Sequence, residues 1–246
     1  MLVVGLTGGI ASGKSTVSRL LQSPDIALPL IDLDVLAREV VEPGTRTLHK
    51  LQAHFGDEIV SPTDGSLDRA KLGQIIFNDE RKRKQLNAII HPAIRWRLAW
   101  SLLIYWLKGE KIVLVDAPLL VEAGLWRLAG RIILVYCSEK IQLQRLISRA
   151  GPAASDEDAR ARIASQASLS SKLVYADYVI DNSGDMSELS AQVEDVVSKL
   201  KMQVAWPTWL ACWLLAPVGL LKGLFTVVWR LYYKKIGQEK SRSRRA

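Results

Sequence analysis

The sequence predicts an α/β fold: a five-stranded parallel sheet with flanking helices. Two observations carry that prediction. Five short apolar runs, around Leu2–Leu6, Leu28–Ile31, Ile112–Val115, Arg131–Tyr136 and Tyr178–Asp181, are separated by stretches with helical spacing. Strands that alternate with helices argue a parallel, doubly wound sheet. The first run also passes straight into a glycine-rich turn and then a helical pattern, Gly8-Gly9-Ile10-Ala11-Ser12-Gly13-Lys14-Ser15-Thr16 followed by Val17, Leu20 and Leu21. The length of 246 residues is enough for one large α/β domain with a well-buried interior.

That turn fits the phosphate-binding pattern G-x-x-x-x-G-K-[ST] at every fixed position. Its glycines let backbone N–H groups point into one concavity, and the helix N-terminus adds its positive dipole end. Gly9, Ala11, Ser12, Gly13, Lys14, Ser15 and Thr16 are therefore the expected phosphate cradle. Lys14 can reach the β- and γ-phosphates, and the Ser15 hydroxyl is a magnesium ligand. The expected ligands are ATP and Mg2+.

The second strand ends in Asp32-Leu33-Asp34. Acids at the carboxyl end of a buried strand lie where open parallel sheets bind ligands, and at least one of the two is expected to cap the helix that follows. Val35, Leu36, Val40 and Val41 give that helix its apolar face, and Glu42-Pro43-Gly44 stops it. From residue 43 to 108 the pattern is helical, broken around Ser61–Gly65, with no strand. This reads as a helical insertion that covers a substrate. His91 stands in it immediately before Pro92.

Gly109 ends the insertion. Ile112–Val115 closes on Asp116, the shape of a strand whose terminal carboxylate orients magnesium, usually through water. The chain leaves that strand through Pro118. After the fourth strand, Ser138 is placed to cap a helix on which Arg145 and Arg149 share a face. With Arg160 and Arg162 they bracket the turn Gly151–Asp156, which predicts a lid over residues 145–165 that stabilises transferring charge. Leu189, Val193, Val196, Val197 and Leu200 form one stripe that should pack on the sheet.

The formal charge of +8 is unevenly spread. From Arg230 onward seven basic residues face one acid, Glu239, so the first 229 residues are nearly neutral. The charge belongs to the C-terminus, and nucleic acid is not an expected partner. Two cysteines, Cys137 and Cys212, exclude a disulfide framework and lack metal-ligand spacing. A first strand that begins at Leu2 predicts no targeting presequence.

The tail from residue 204 to 246 changes character. Trp206 to Trp229 holds four of the eight tryptophans and one charge, Lys222. Its uninterrupted apolar stretch, Trp209–Leu221, has 13 residues, short of the ~20 that span a bilayer. With Tyr232–Lys235 and the basic end behind it, the segment 206–233 reads as an in-plane anchor on the cytosolic face of an intracellular membrane. The alternatives are a helix packed on the protein's own core or a dimer contact.

Several separated motifs together resemble one family, the dephospho-CoA kinases. They are Gly5–Thr16; Ile31-Asp32-Leu33-Asp34 with Ala37-Arg38 and Val41–Gly44; Leu86-Asn87 with His91-Pro92; Pro118–Glu122; Gln142-Leu143 with Arg145 and Arg149; and Ala176–Gly184. The resemblance covers residues 2 to about 200, so 1–203 would be the kinase domain. It implies a nucleotide-kinase-like core that transfers phosphate from ATP to the 3′-hydroxyl of dephospho-CoA, giving CoA and ADP in the last step of coenzyme A biosynthesis. It implies Asp34 as the base, Arg145 and Arg149 near phosphates, and Arg38, His91 and Glu122 near the substrate. Leu33 stands where the family has a small alanine. The tail resembles the extensions of some eukaryotic members; binding a partner in a CoA-synthesis multienzyme complex, or a cytoplasmic or mitochondrial location, are its alternatives. Read from residues alone, a kinase of another nucleotide or nucleoside stays open, as does a membrane-tethered nucleotide-binding scaffold without turnover. No N-K-x-D segment supports a GTPase.

Overall fold

A computed structural model describes residues 1–77, 79–150 and 155–204, the side chain of Ala150 aside. Its strands are β1 (Leu2–Gly8), β2 (Leu30–Asp32), β3 (Ile112–Asp116), β4 (Arg131–Tyr136) and β5 (Tyr178–Asp181). They form one parallel sheet in the order β2-β3-β1-β4-β5. Register runs Leu2 to Ile112 and Leu6 to Asp116 on one side of β1, and Val4 to Arg131 and Gly8 to Val135 on the other. β1 therefore lies at the centre, and the expected five-stranded α/β fold is what the chain adopts. β2 starts two residues later than the apolar run, because Ala27 takes a φ of +52° and the Pro29 carbonyl accepts the N–H of Leu114 from outside the strand.

The helices are α1 (Lys14–Leu21), α2 (Leu33–Glu39), α3 (Arg46–Phe55), α4 (Arg69–Phe77), α5 (Glu80–Leu107), α6 (Glu139–Ala150), α7 (Asp156–Ala164), α8 (Leu169–Leu173) and α9 (Met186–Gln203). Two compact units result: one holds Met1–Leu30 with the chain from Trp106 onward, the other Ile31–Tyr105.

In the first unit, β1, β3 and β4 are buried through their middles, and Val17 and Leu21 of α1 meet the α9 stripe over Leu6, Leu114 and Ile133. The α9 stripe is the expected one: Leu189, Val193, Val196, Val197 and Leu200 are all buried. Each such side chain is worth about 1.5–3 kcal/mol when removed from water. Asp185 caps α9 by accepting the Glu188 N–H.

The second unit has its own core of Val40, Val41, Leu51, Ile59 and Leu72, against which Ile89, Ile90 and Ile94 of α5 pack. It begins at Ile31, ahead of the expected insertion boundary at 43, because Val40 and Val41 at the end of α2 belong to this core. Gly44, at φ +80°, turns the chain from α2 toward α3. The break around Ser61–Gly65 is flanked by an antiparallel bridge, Val60 to Leu67.

Of the lid, α6 and α7 are described, and residues 151–154 lie outside the described residues. The anchor at 206–233 also lies outside them. Among the described residues no helix is long and apolar enough to cross a membrane.

Candidate active site

β1 delivers the chain to the phosphate loop and α1 takes it away. Gly13 caps α1 at a φ of +86°, and no side chain caps that helix. A Cβ on Gly13 would collide with the Asn182 carboxamide, so glycine is required for backbone conformation and for space. Ala11 is held at φ +58°, a left-handed conformation uncommon outside glycine and typical of loops shaped for a ligand. Ser12 is fully buried, and its hydroxyl has no protein partner among the described residues. The N–H groups of Gly13, Lys14 and Ser15 likewise donate to no protein acceptor among them. Orphan donors at a helix N-terminus, with the dipole behind them, are what an anionic phosphate satisfies. The loop therefore fits the triphosphate expected from its sequence.

Side chains distant in sequence hold this loop. Asn182, just beyond β5, donates to the Ser12 carbonyl at 2.8 Å. Gln142 of α6 donates to the Ile10 carbonyl at 2.8 Å, and Gln166 accepts the Ile10 N–H at 3.0 Å. Arg145 of α6 donates to the Asn182 carbonyl at 2.9 Å and reaches the Ser12 carbonyl at 3.5 Å. Arg145 thus lies at the loop, with its guanidinium fastened to backbone. Arg149 sits one turn further along α6 and is exposed. Sequence reasoning missed Gln142 and Asn182 as loop supports, although both lie in stretches that carry the family resemblance.

Lys14 forms an ion pair with Asp116 at the end of β3. This brings the loop lysine and the predicted magnesium-orienting carboxylate together. Ser15 is exposed at the mouth of the loop. A hydroxyl and a carboxylate are hard oxygen donors, the set magnesium takes alongside substrate phosphates. Among the described residues no cluster of three or more His, Cys, Asp or Glu could hold a metal by itself. Cys137, free and buried at the end of β4, has its thiol pushed above the ordinary value by burial, so it is a packing group rather than a nucleophile.

Glu122, which the resemblance places near the substrate, meets protein groups here. Its Oε1 accepts from Lys172 Nζ at 2.8 Å and from the Ala167 N–H at 3.3 Å. Lys172, which sequence reasoning passed over, is fully buried.

In the second unit, Asp32 is the α2 cap: its Oδ1 accepts the N–H groups of Asp34 at 2.8 Å and Val35 at 3.2 Å. Asp34, on the first helical turn, is exposed, and its carboxylate has no partner among the described residues. Arg38 lies four residues on, also exposed, and the buried Leu33 anchors the helix start. His91 is exposed on α5.

The family model for dephospho-CoA kinase matches residues 2–188. The chain belongs to the dephospho-CoA kinase family. A dephospho-CoA kinase of Arabidopsis thaliana is 43% identical over 206 residues, covering 84% of this chain and 87% of that protein. One from Saccharomyces cerevisiae is 39% identical over 245 residues, 98% of this chain and 99% of its own, so that match runs into the tail. Among solved structures, the dephospho-CoA kinase of Campylobacter jejuni superposes with a TM-score of 0.64 at 27% identity, over 82% of this chain and 98% of that one. The loop, Asp116, Arg145 and Asn182 all lie inside the matched dephospho-CoA kinase region.

Proposed function

We infer that the protein is a dephospho-CoA kinase, which transfers the γ-phosphoryl group of ATP to the 3′-hydroxyl of dephospho-CoA and releases ADP and CoA. The observation that carries this reading is the phosphate loop with its orphan N–H groups at Gly13–Ser15, in a chain that matches the family over residues 2–188.

The loop binds the β- and γ-phosphates through those N–H groups, and Lys14 places its ammonium on the same oxygens. Ser15 and Asp116 are the residues proposed to hold magnesium. When bound, that ion would neutralise phosphate charge. Arg145 and, a turn away, Arg149 add positive charge on the lid side. Asp34 is proposed as the base. It accepts the proton of the 3′-hydroxyl as that oxygen bonds to the γ-phosphorus and the bond to the β–γ bridging oxygen breaks. Its support is local: Asp32 takes the cap, which leaves the Asp34 carboxylate exposed and without a partner among the described residues. Arg38 and His91 are proposed beside the nucleotide end of dephospho-CoA. The tail, with its tryptophans and basic end, is proposed to rest on an anionic membrane surface.

The test is ADP release from the purified protein with magnesium and ATP, using dephospho-CoA, AMP and adenosine as parallel acceptors. Stimulation by dephospho-CoA with CoA as product is expected. Stimulation by AMP or adenosine instead would move the substrate, and no stimulation by any of the three would overturn the enzymatic reading.

A further inference from the structure

Lys172 of α8 is 0% exposed, on a five-residue helix whose other residues are two serines and two leucines. Its ammonium has three protons and meets three acceptors: Glu122 Oε1 at 2.8 Å, the Pro118 carbonyl at 3.1 Å and the Gly8 carbonyl at 3.5 Å. Those acceptors belong to two strand ends. Gly8 is the last residue of β1 and the first of the phosphate loop; Pro118 lies two residues past Asp116, the partner of Lys14. The Pro118 carbonyl also accepts from Thr7 Oγ1 at 3.1 Å. Glu122, in turn, takes the Ala167 N–H, one residue after Gln166 receives the N–H of Ile10. A single buried cation thus joins the start of the loop, the segment behind Asp116 and the stretch that follows the lid helix α7.

We propose that Lys172 is a positioning residue for phosphoryl transfer: held by Glu122, it fixes the Gly8 and Pro118 carbonyls and thereby the spacing between the phosphate loop and Asp116. The proposal rests on the kinase reading above. Its physical basis is that a charge taken wholly out of water is tolerated only where every proton has a fixed acceptor, and such a network imposes one geometry on the groups it joins. Phosphoryl transfer depends on positioning more than on covalent chemistry, so a small displacement of the loop is felt in the rate.

The test separates geometry from stability by measuring Tm, ATP affinity by calorimetry and steady-state kinetics on three variants. Lys172→Met leaves Glu122 without its cation, so Tm falls and kcat/KM for ATP drops by ~10²-fold. The double variant Lys172→Met with Glu122→Leu removes both charges; Tm is expected to recover while kcat/KM stays at least about tenfold low. Glu122→Gln, which keeps the shape and an acceptor oxygen, guards against loss of folding. It is expected to raise KM for ATP and leave KM for dephospho-CoA unchanged. A double variant with wild-type kinetics would reduce the pair to a structural staple and overturn the proposal, as would a Glu122→Gln effect confined to dephospho-CoA. Wild-type protein inactive toward dephospho-CoA would instead count against the kinase reading itself.

Discussion

The side-chain amide of Asn182 donates to the carbonyl of Ser12 at 2.8 Å, across 170 residues of sequence. Both residues are buried, so the Ser12 carbonyl has no water to turn to. Asn182→Ala leaves it only the long contact from Arg145, at 3.5 Å. An unsatisfied buried acceptor costs about 1–3 kcal/mol. The expected outcome is a lower Tm together with a raised KM for ATP. A Tm loss with unchanged ATP affinity would mean that the bond supports the fold and not the loop.

Asp34 and Asp32 are two residues apart and differently placed: Asp32 caps α2, and the Asp34 carboxylate has no partner among the described residues. Asp34→Asn keeps the helix start and removes the proposed base. It should lower kcat by ~10²–10⁴ while ATP binding, read by calorimetry, is retained. Asp32→Asn keeps an acceptor at the cap and should change kcat far less. An Asp34→Asn enzyme with normal kcat would exclude Asp34 as the base.

Asp185 offers a pH-dependent test of the fold. The Glu188 N–H and then the Ser187 hydroxyl hold its carboxyl below the usual carboxylate value. A depressed folded-state pKa means stability that is present above the unfolded value and lost as pH falls through the lowered one. Asp185→Ala should therefore reduce Tm at neutral pH, and the difference from wild type should shrink as the pH is taken below the carboxylate range. A difference that persists unchanged in acid would point to packing of α9 rather than its cap.

The boundary proposed for the kinase domain lies near residue 203. α9 runs to Gln203, and Val204 still packs against the core. Truncation after Val204 should leave Tm, kcat and both KM values unaltered and abolish binding to anionic vesicles, measured by co-sedimentation. A truncated enzyme that loses activity would make the tail part of the catalytic fold.

The elements that sequence predicts well are those whose signal is local. β1, the phosphate loop and α1 follow from a fixed spacing of Gly8, Gly13 and Lys14, and β3 and β4 from unbroken apolar runs. Asp116 was legible as a strand-end carboxylate, and its pairing with Lys14 follows from adjacent parallel strands. Asp32 and Asp34 could not be assigned between cap and free carboxylate until the backbone of α2 was known. Lys172 was illegible for a different reason. Its neighbours are serines and short apolar residues, a pattern that reads as a solvated turn, and only the arrival of Glu122, Pro118 and Gly8 makes it an interior residue. Gln142 and Gln166 likewise gain meaning from Ile10, more than a hundred residues away.

The central position of β1 has a consequence for synthesis. The nucleotide-binding motif emerges from the ribosome first, while the groups that fasten it arrive late: Pro118, then Gln142, then Lys172 and finally Asn182. β1 must also wait for β3 and β4 on its two sides. A nascent chain halted before β5 carries every letter of the phosphate-loop motif and lacks the scaffold that shapes it. The loop can take its described shape only once Asn182 has been made, so nucleotide binding by a nascent chain is expected after β5 and not before it.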